Sequence, residues 1–194
     1  QNTKESGHKV DIIVSTRDRH SEIALLMQGL RTQTFKDWDL FIWDNASGTP
    51  IQNCSFVNAM IGRLRLEGHM VKIHRNPVDF GNCYNRNHLN EWVLKEGDGD
   101  LTLRIDDDVI PEPDYIEKLI EVIDKGYDIA SGVTPPFAMP EIKREIKFLN
   151  GEINKIYAND DNELYIMGDD CGFCYIEQEV IQSGHFRSSA LYKS

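Results

Sequence analysis

The fold of this chain is decided by the stretch VDIIVSTRDRHSEIALLMQGLRTQTFKDWDLFIWD, residues 10–44. It begins with VDIIVS (10–15), a short β-branched run typical of a buried strand. Residues 21–33 carry apolar side chains at helical spacing and begin with Ser21, a candidate N-cap. Residues 38–44 form a second apolar strand. A strand, a helix and a strand in this order predict a βαβ unit with parallel strands and a right-handed crossover.

The same alternation continues along the chain and predicts an α/β fold with a mainly parallel sheet flanked by helices. After Pro136 the pattern changes, and alternating residues around Asn150-Gly151 predict a small antiparallel hairpin within residues 147–157. The other predicted helices are 51–68, 82–97 and 113–126, and the other predicted strands of the sheet are 69–75, 101–105 and 127–133.

The length of 194 residues suits one domain with a well-buried core. We expect residues 1–8 to be a flexible tail and residues 9–194 a single domain. The net charge of -11 argues against nucleic acid or an anionic membrane as the main partner, since both need a basic surface. No apolar run approaches the roughly 18 residues that span a bilayer, and no signal peptide is evident. These features predict a soluble, cytoplasmic protein, with peripheral membrane attachment through regions outside this chain left open.

The four cysteines include one CxxC pair, Cys171 and Cys174, while Cys54 and Cys83 stand alone. A structural zinc site usually needs a second such pair. We therefore expect reduced structural thiols, with a redox-active pair as the alternative.

Ligands of parallel α/β sheets bind at the carboxyl ends of the strands, where the strand order reverses. Polar residues occupy these positions after each of the first four predicted strands. The corresponding segments are 15–19, 44–47, 75–81 and 106–108.

The last of these segments is a run of three aspartates, Asp106 to Asp108, directly after an apolar strand. At a separation of about 4 Å and an effective dielectric of about 20, each adjacent ionised pair repels by roughly 4 kcal/mol. If the strand geometry persists, Asp106 and Asp108 share one face and Asp107 points away. Such a carboxylate pair suits Mg²⁺ or Mn²⁺ bound together with a substrate phosphate. The alternative is a solvated acidic loop before the following helix.

Four motifs in this order resemble the inverting family 2 glycosyltransferases with the GT-A fold. They are an opening strand, a second strand that ends in a nucleoside-binding aspartate, a glycine-then-arginine-asparagine segment, and a DxD metal motif with its following helix. The resemblance covers roughly residues 9–135 and is weaker over 169–186. The four stretches are VDIIVSTRDR (10–19), WDLFIWDNAS (38–47), RNPVDFGNCYNRN (75–87) and RIDDDVIPEPDYIEKL (104–119).

The resemblance implies a nucleotide-binding half, residues 9–108, and an acceptor-side half, residues 109–194. It implies that Asp108 binds the metal together with Asp106, which also contacts the ribose or donor sugar. Thr16 and Asp44 would hold the nucleoside base of the donor, and Arg86 would lie near the donor pocket. The full set of implied nucleotide-sugar residues is Thr16, Arg17, Asp44, Arg86, Asp106 and Asp107.

The implied reaction transfers a sugar from a UDP- or GDP-linked donor to the hydroxyl of a saccharide or other acceptor, with inversion. The candidates for the catalytic base that deprotonates the acceptor hydroxyl are Asp170 and Asp169. They lie on a segment that resembles the acceptor-side wall of the family's active site. In the family the base usually lies beyond a segment like SGHF (183–186), so a base beyond Ser194 and a truncated acceptor half are expectations as well. The alternatives are an inactive nucleotide-sugar-binding protein and a sugar nucleotidyltransferase, although STRDRHS (15–21) lacks the glycines of a nucleotidyltransferase phosphate loop.

Overall fold

The computed structural model describes residues 7–132, 148–149, 152–153 and 190–193. The chain divides into two compact units. One comprises Gln1–Lys118 with Tyr192–Ser194, and the other comprises Leu119–Leu191.

The helices and strands up to Ile153 follow the predicted order, whereas the strand at Ala190–Lys193 was not predicted. The strands are β1 (Val10–Thr16), β2 (Trp38–Asp44), β3 (Val71–Arg75), β4 (Leu101–Arg104), β5 (Ile129–Ser131), β6 (Phe148–Leu149), β7 (Glu152–Ile153) and β8 (Ala190–Lys193). The helices are α1 (His20–Arg31), α2 (Ser55–Leu66), α3 (Asn82–Glu96) and α4 (Tyr115–Ile123), and a short 3-10 turn spans Ile51–Asn53.

In the first unit, the strands β3, β2, β1 and β4 lie side by side in that order and all run parallel. Every residue of β2 is buried, as expected for a central strand covered on both faces. The chain places β2 on one side of β1 and β4 on the other, so the strand order reverses at β1. A ligand crevice is therefore expected at the carboxyl ends of β1 and β4.

Helices cover the sheet through regularly spaced apolar residues. α1 buries Ile23, Leu26, Met27 and Leu30, which recur at the spacing of one helical face, and it packs against α2. α3 packs on β1 and β2. Each fully buried Leu or Ile contributes roughly 1.5–3 kcal/mol to folding, so these helices hold the strand ends firmly.

The structure confirms the α/β class with a mainly parallel sheet, and it also confirms the hairpin. β6 and β7 pair antiparallel, with Phe148 opposite Ile153 and Leu149 opposite Glu152. Among the described residues, Cys54 and Cys83 are free thiols, whereas Cys171 and Cys174 lie outside them. Within the described ranges we find no helix whose length and apolar character would let it cross a membrane.

The predicted cap of the first helix is wrong. α1 begins at His20, Arg19 occupies the N-cap position without a side-chain hydrogen bond to the helix, and Ser21 lies inside the first turn. The preceding Asp18 has a φ of +54°, and its backbone amide donates to the Ser47 hydroxyl over 2.9 Å. This tertiary contact sets the turn before Ser21 and therefore overrides the local preference of serine for the cap.

Candidate active site

The loops that follow β1 to β4 are joined by side-chain hydrogen bonds. The Thr16 hydroxyl donates to the Asp107 carboxylate over 2.7 Å, which connects the end of β1 to the turn after β4. Arg17 forms an ion pair with Asp79 in the loop after β3. The side-chain amide of Asn45, after β2, donates to the same Asp79 carboxylate over 2.6 Å. The four polar segments predicted from the sequence therefore meet at one edge of the sheet.

The aspartate triplet lies in a turn. β4 ends at Arg104, and the backbone turns at Asp107 and Asp108. One nitrogen of Arg19, Nη1, donates to Asp107 Oδ1 over 2.9 Å and to Asp108 Oδ2 over 2.8 Å. Two carboxylates that share one donor atom face the same side. The prediction that Asp107 points away from Asp108 is therefore wrong, because faces alternate only while the backbone remains extended.

Asp107 is the most enclosed member of the triplet, with a side chain only 7% exposed. Burial raises the pKa of its carboxyl, and the hydrogen bonds from Thr16 and Arg19 oppose that rise by favouring the charged form. Both carboxylate oxygens are engaged, since Oδ2 accepts from Thr16 and Oδ1 accepts from Arg19. Asp107 therefore anchors the turn, and Arg19 relieves the like-charge repulsion that the sequence poses.

Asp106 contacts α3. Arg86 Nη2 lies 3.4 Å from Asp106 Oδ1. Burial raises the pKa of Asp106, and the positive charge of Arg86 is the largest opposing influence. The structure thus brings together two residues that the resemblance assigns to the donor pocket, one on a helix and one at a strand end.

A chain of buried asparagines positions Arg86. The side-chain nitrogen of Asn76, just after β3, donates to Asn45 Oδ1 over 3.0 Å and to Asn85 Oδ1 over 2.8 Å. All three asparagines are buried. Asn85 precedes Arg86 on α3, so this network fixes the first turns of the helix against the ends of β2 and β3. Buried amides of this kind are stable only when their hydrogen bonds are satisfied.

Asp44 ends β2 and is fully buried. Its Oδ1 accepts the amide of Ser47 over 2.8 Å and its Oδ2 accepts the amide of Ile51 over 3.2 Å. Arg75 Nε lies 3.4 Å from the same carboxylate. Asp44 thus organises the loop that follows it. Its contact with a nucleoside base stays a prediction, as does that of Thr16.

The two candidates for the catalytic base, Asp169 and Asp170, lie outside the described residues. Their role therefore stays a prediction.

A second acidic group lies at the other end of the strands. Carboxylate oxygens of Asp11, Asp39 and Asp98 lie within 4.8 Å of one another. Asp11 and Asp39 are the second residues of β1 and β2, far along the strands from Thr16. Lys9 Nζ lies 2.7 Å from Asp98 and 2.9 Å from Asp39, and these contacts raise the pKa of Lys9. An ammonium group therefore already balances part of this charge.

Sequence reasoning selected the right loops but missed four of their residues. The side chains of Arg19, Asp79, Asn76 and Asn85 join the loops, yet none of these was singled out. For Arg19, Asn76 and Asp79 the available signal was their position after strands, within segments already recognised as polar, whereas Asn85 lies on α3. Which of several polar neighbours turns inward depends on loop geometry, which local sequence does not specify.

The residues present fit a divalent cation. Two oxygens from different carboxylates, Asp107 Oδ1 and Asp108 Oδ2, converge on one position that a positively charged nitrogen of Arg19 occupies. Mg²⁺ and Mn²⁺ prefer such oxygen ligands, and the half-exposed Asp108 leaves room for water or phosphate ligands. Asp106 lies next to this pair along the chain.

Solved structures similar to this chain include complexes with nucleotide sugars. The mannosyltransferase PcManGT from Pyrobaculum calidifontis, in complex with GDP-Man and Mn²⁺, is 17% identical, with a TM-score of 0.55 over 68% of this chain and 37% of that chain. TarS 1-349 from S. aureus, in complex with UDP-GlcNAc, is 19% identical, with a TM-score of 0.56 over 72% of this chain and 38% of that chain. This chain spans well under two thirds of the length of each of these two proteins. At such identities the likeness shows the fold alone.

Comparison with curated proteins gave no significant match. The family model described as Glycosyl transferase family 2 matches residues 11–182, which include every segment of the site described above. This match covers most of the chain, and the chain therefore belongs to glycosyl transferase family 2.

Proposed function

We propose that this chain binds a UDP- or GDP-linked sugar and transfers the hexosyl group to the hydroxyl of a saccharide or other acceptor, with inversion, using Mg²⁺ or Mn²⁺. Family membership supports glycosyl transfer. The GDP-Man, Mn²⁺ and UDP-GlcNAc of the similar structures support the donor class and the cation. The observation that carries the proposal is the joining of four loops at the carboxyl ends of the strands, with Asp107 and Asp108 bound to the loop after β1 where the strand order reverses.

Each residue near the triplet has a role in this proposal. Asp108 and Asp106 hold the cation, which when bound stabilises charge on the leaving diphosphate. Asp107 fixes the turn through Thr16. Arg86, held by the asparagine network, lies beside Asp106 and contacts the donor. The other donor contacts proposed are those of Thr16, Arg17 and Asp44.

The transfer breaks the bond between the anomeric carbon and the diphosphate oxygen, which keeps the electron pair. The acceptor oxygen forms the new bond from the opposite face, and its proton passes to a carboxylate. We assign that carboxylate to Asp170 or Asp169, in the acceptor-side half (109–194) of one GT-A domain that spans 9–194.

Calorimetric titration with UDP and with GDP, each with and without Mn²⁺, tests the donor site. Asp108→Ala is expected to abolish the Mn²⁺-dependent part of nucleotide binding while the fold stays intact, because Asp108 is half-exposed beyond a strand end. Asp114→Ala is the matched control, since Asp114 is a half-exposed aspartate outside the triplet that pairs with Lys118. If Asp108→Ala binds nucleotide in the presence of Mn²⁺ as tightly as the unmodified chain, the assignment of Asp108 as a metal ligand is wrong.

Catalysis is tested separately from binding. Incubation with a series of UDP- and GDP-sugars, with and without acceptor sugars, is expected to release nucleotide diphosphate faster in the presence of Mn²⁺. Tight binding with no release under any of these conditions would instead favour the inactive nucleotide-sugar-binding protein.

A further inference from the structure

We propose that Arg19 is an exchange residue: it balances Asp107 and Asp108 while no divalent cation is bound, and cation binding releases it to the diphosphate of the donor. This inference deepens the proposed function and rests on it. It predicts that cation and nucleotide bind with positive coupling that passes through one side chain.

The contacts of Arg19 place it in competition with a cation. Its Nη1 donates to Asp107 Oδ1 over 2.9 Å and to Asp108 Oδ2 over 2.8 Å. The other oxygen of Asp107 already accepts from Thr16. Asp108 is one of the two proposed cation ligands, and its Oδ2 accepts from Arg19. A cation held by Asp108 and Asp106 would therefore lie close to the guanidinium, and two positive charges at that distance repel. Arg19 must therefore move when the cation binds.

The backbone around Arg19 keeps the released side chain at the site. Arg19 is the N-cap residue of α1, and its carbonyl accepts the amide of Ile23 over 3.1 Å. The neighbouring Asp18 is fastened to the loop after β2, because its carboxylate accepts the amide of Gly48 over 2.6 Å. Only the side chain of Arg19 is free to swing, and it remains near the carboxyl ends of β1 and β4.

The guanidinium of Arg19 is suited to bind the diphosphate of the donor. Both bonds to the aspartates come from Nη1, and a guanidinium has further N–H donors on its other nitrogens. The side chain is 47% exposed, so a ligand can reach it. A guanidinium binds phosphate oxygens in pairs, which an ammonium group cannot do. In a chain of net charge -11, this freed charge supplies local attraction for a diphosphate.

The exchange has a thermodynamic consequence. While no cation is bound, Arg19 weakens cation binding by occupying Oδ2 of Asp108, and Asp107 and Asp108 weaken diphosphate binding by holding Arg19. Each ligand removes the obstacle to the other, so each raises the affinity of the other by the same factor. Without Arg19, the cation alone binds more tightly and the coupling shrinks.

The experiment measures Mn²⁺ binding by electron paramagnetic resonance and UDP or GDP binding by calorimetry, each ligand alone and both together. In Arg19→Gln, Mn²⁺ alone is expected to bind about tenfold more tightly than in the unmodified chain, and the coupling factor between Mn²⁺ and nucleotide is expected to fall toward one. Arg19→Lys keeps the charge and is expected to bind Mn²⁺ alone within about twofold of the unmodified chain.

Arg17→Gln is the matched control. It removes the same charge from the same loop, but Arg17 pairs with Asp79 instead of the triplet. Its affinity for Mn²⁺ alone is expected to stay within about twofold of the unmodified chain. An equal gain in Arg17→Gln would show a general charge effect and overturn the exchange. So would a Mn²⁺ affinity in Arg19→Gln that is unchanged or weaker.

The two proposals fail in different ways. If the unmodified chain binds Mn²⁺ and nucleotide together but Arg19→Gln leaves the Mn²⁺ affinity unchanged, only the exchange fails. If the unmodified chain binds no Mn²⁺, with or without nucleotide, the metal part of the proposed function fails and the exchange fails with it. Thermal melting of each variant confirms that the comparisons are made on folded protein.

Discussion

Thr16 and Asp107, 91 positions apart in the chain, are joined by a hydrogen bond of 2.7 Å between two buried side chains. Thr16 is the last residue of β1, and Asp107 lies in the turn after β4. The two strands are neighbours at the point where the strand order reverses. This bond sets where the aspartate triplet stands relative to the loop that carries Arg19.

Replacing Thr16 with valine keeps the shape of the side chain and removes its donor. Asp107 Oδ2 would then be buried without this bond, so we expect the free energy of unfolding to fall by about 1–3 kcal/mol. Urea denaturation measures the change. Thr16→Ser retains the hydroxyl and is expected to lose less than about 1 kcal/mol. A valine variant as stable as the unmodified chain would show that the bond contributes nothing to stability.

Asn85→Ala tests the asparagine network. The side-chain nitrogen of Asn76 would lose its acceptor at 2.8 Å, and because both residues are buried we expect a loss of about 1–3 kcal/mol in the free energy of unfolding. Asn87→Ala, an exposed position on the same helix, is expected to change stability by no more than about 0.5 kcal/mol. Equal effects at the two positions, measured by urea denaturation, would argue against the network.

Gly29 in α1 is required by close packing. A Cβ atom at this position would lie 2.7 Å from Cδ of Pro111, in the segment that follows the triplet. We expect Gly29→Ala to destabilise by about 1–3 kcal/mol, although alanine favours helix by about 1 kcal/mol. Gly62 in α2 has no heavy atom within 4 Å of such a Cβ, so Gly62→Ala is expected to stabilise by about 0.5–1 kcal/mol. A lower melting temperature for Gly29→Ala and a higher one for Gly62→Ala would confirm the close contact between Gly29 and Pro111. A higher melting temperature for both variants would contradict it.

Asp11 should make stability depend on pH. Its side chain is buried, its Oδ2 accepts the amide of Gly99, and its Oδ1 has no hydrogen-bond partner in the part of the chain that the structure describes. Burial raises the pKa of Asp11 above its ordinary 3.8, with Asp98 and Asp39 adding to the rise. The folded state therefore disfavours the ionised carboxylate. That penalty is complete above the raised pKa and disappears as pH falls below the unfolded value.

Asp11→Asn removes the charge at every pH. We expect it to raise the free energy of unfolding by about 1 kcal/mol at neutral pH, and we expect this gain to shrink as the pH falls toward the unfolded pKa. Urea denaturation at a series of pH values measures the difference between the variant and the unmodified chain. A gain that stays constant with pH would show that the charge of Asp11 is not its cause.

Much of the fold could be predicted because the signals are local. The strand β2 has the bounds predicted from WDLFIWD, because the short apolar run LFIW at its centre is typical of a buried central strand. The order of strands and helices predicted a parallel sheet, and the carboxyl-end rule selected the four loops that meet. Element ends were less predictable: the helix expected over 51–68 begins only at Ser55, after a 3-10 turn.

The sequence by itself determined the α/β class, the strands, and the position of three aspartates at a strand end. Only the tertiary structure decided which way those aspartates face, because the backbone turns at Asp107 and Asp108 and ends the alternation of faces. It also decided that Arg19, remote in sequence, balances the pair. The physical reason is that side-chain direction in a loop is set by hydrogen bonds to distant segments, whereas side-chain direction in a strand is set by the local repeat of the backbone.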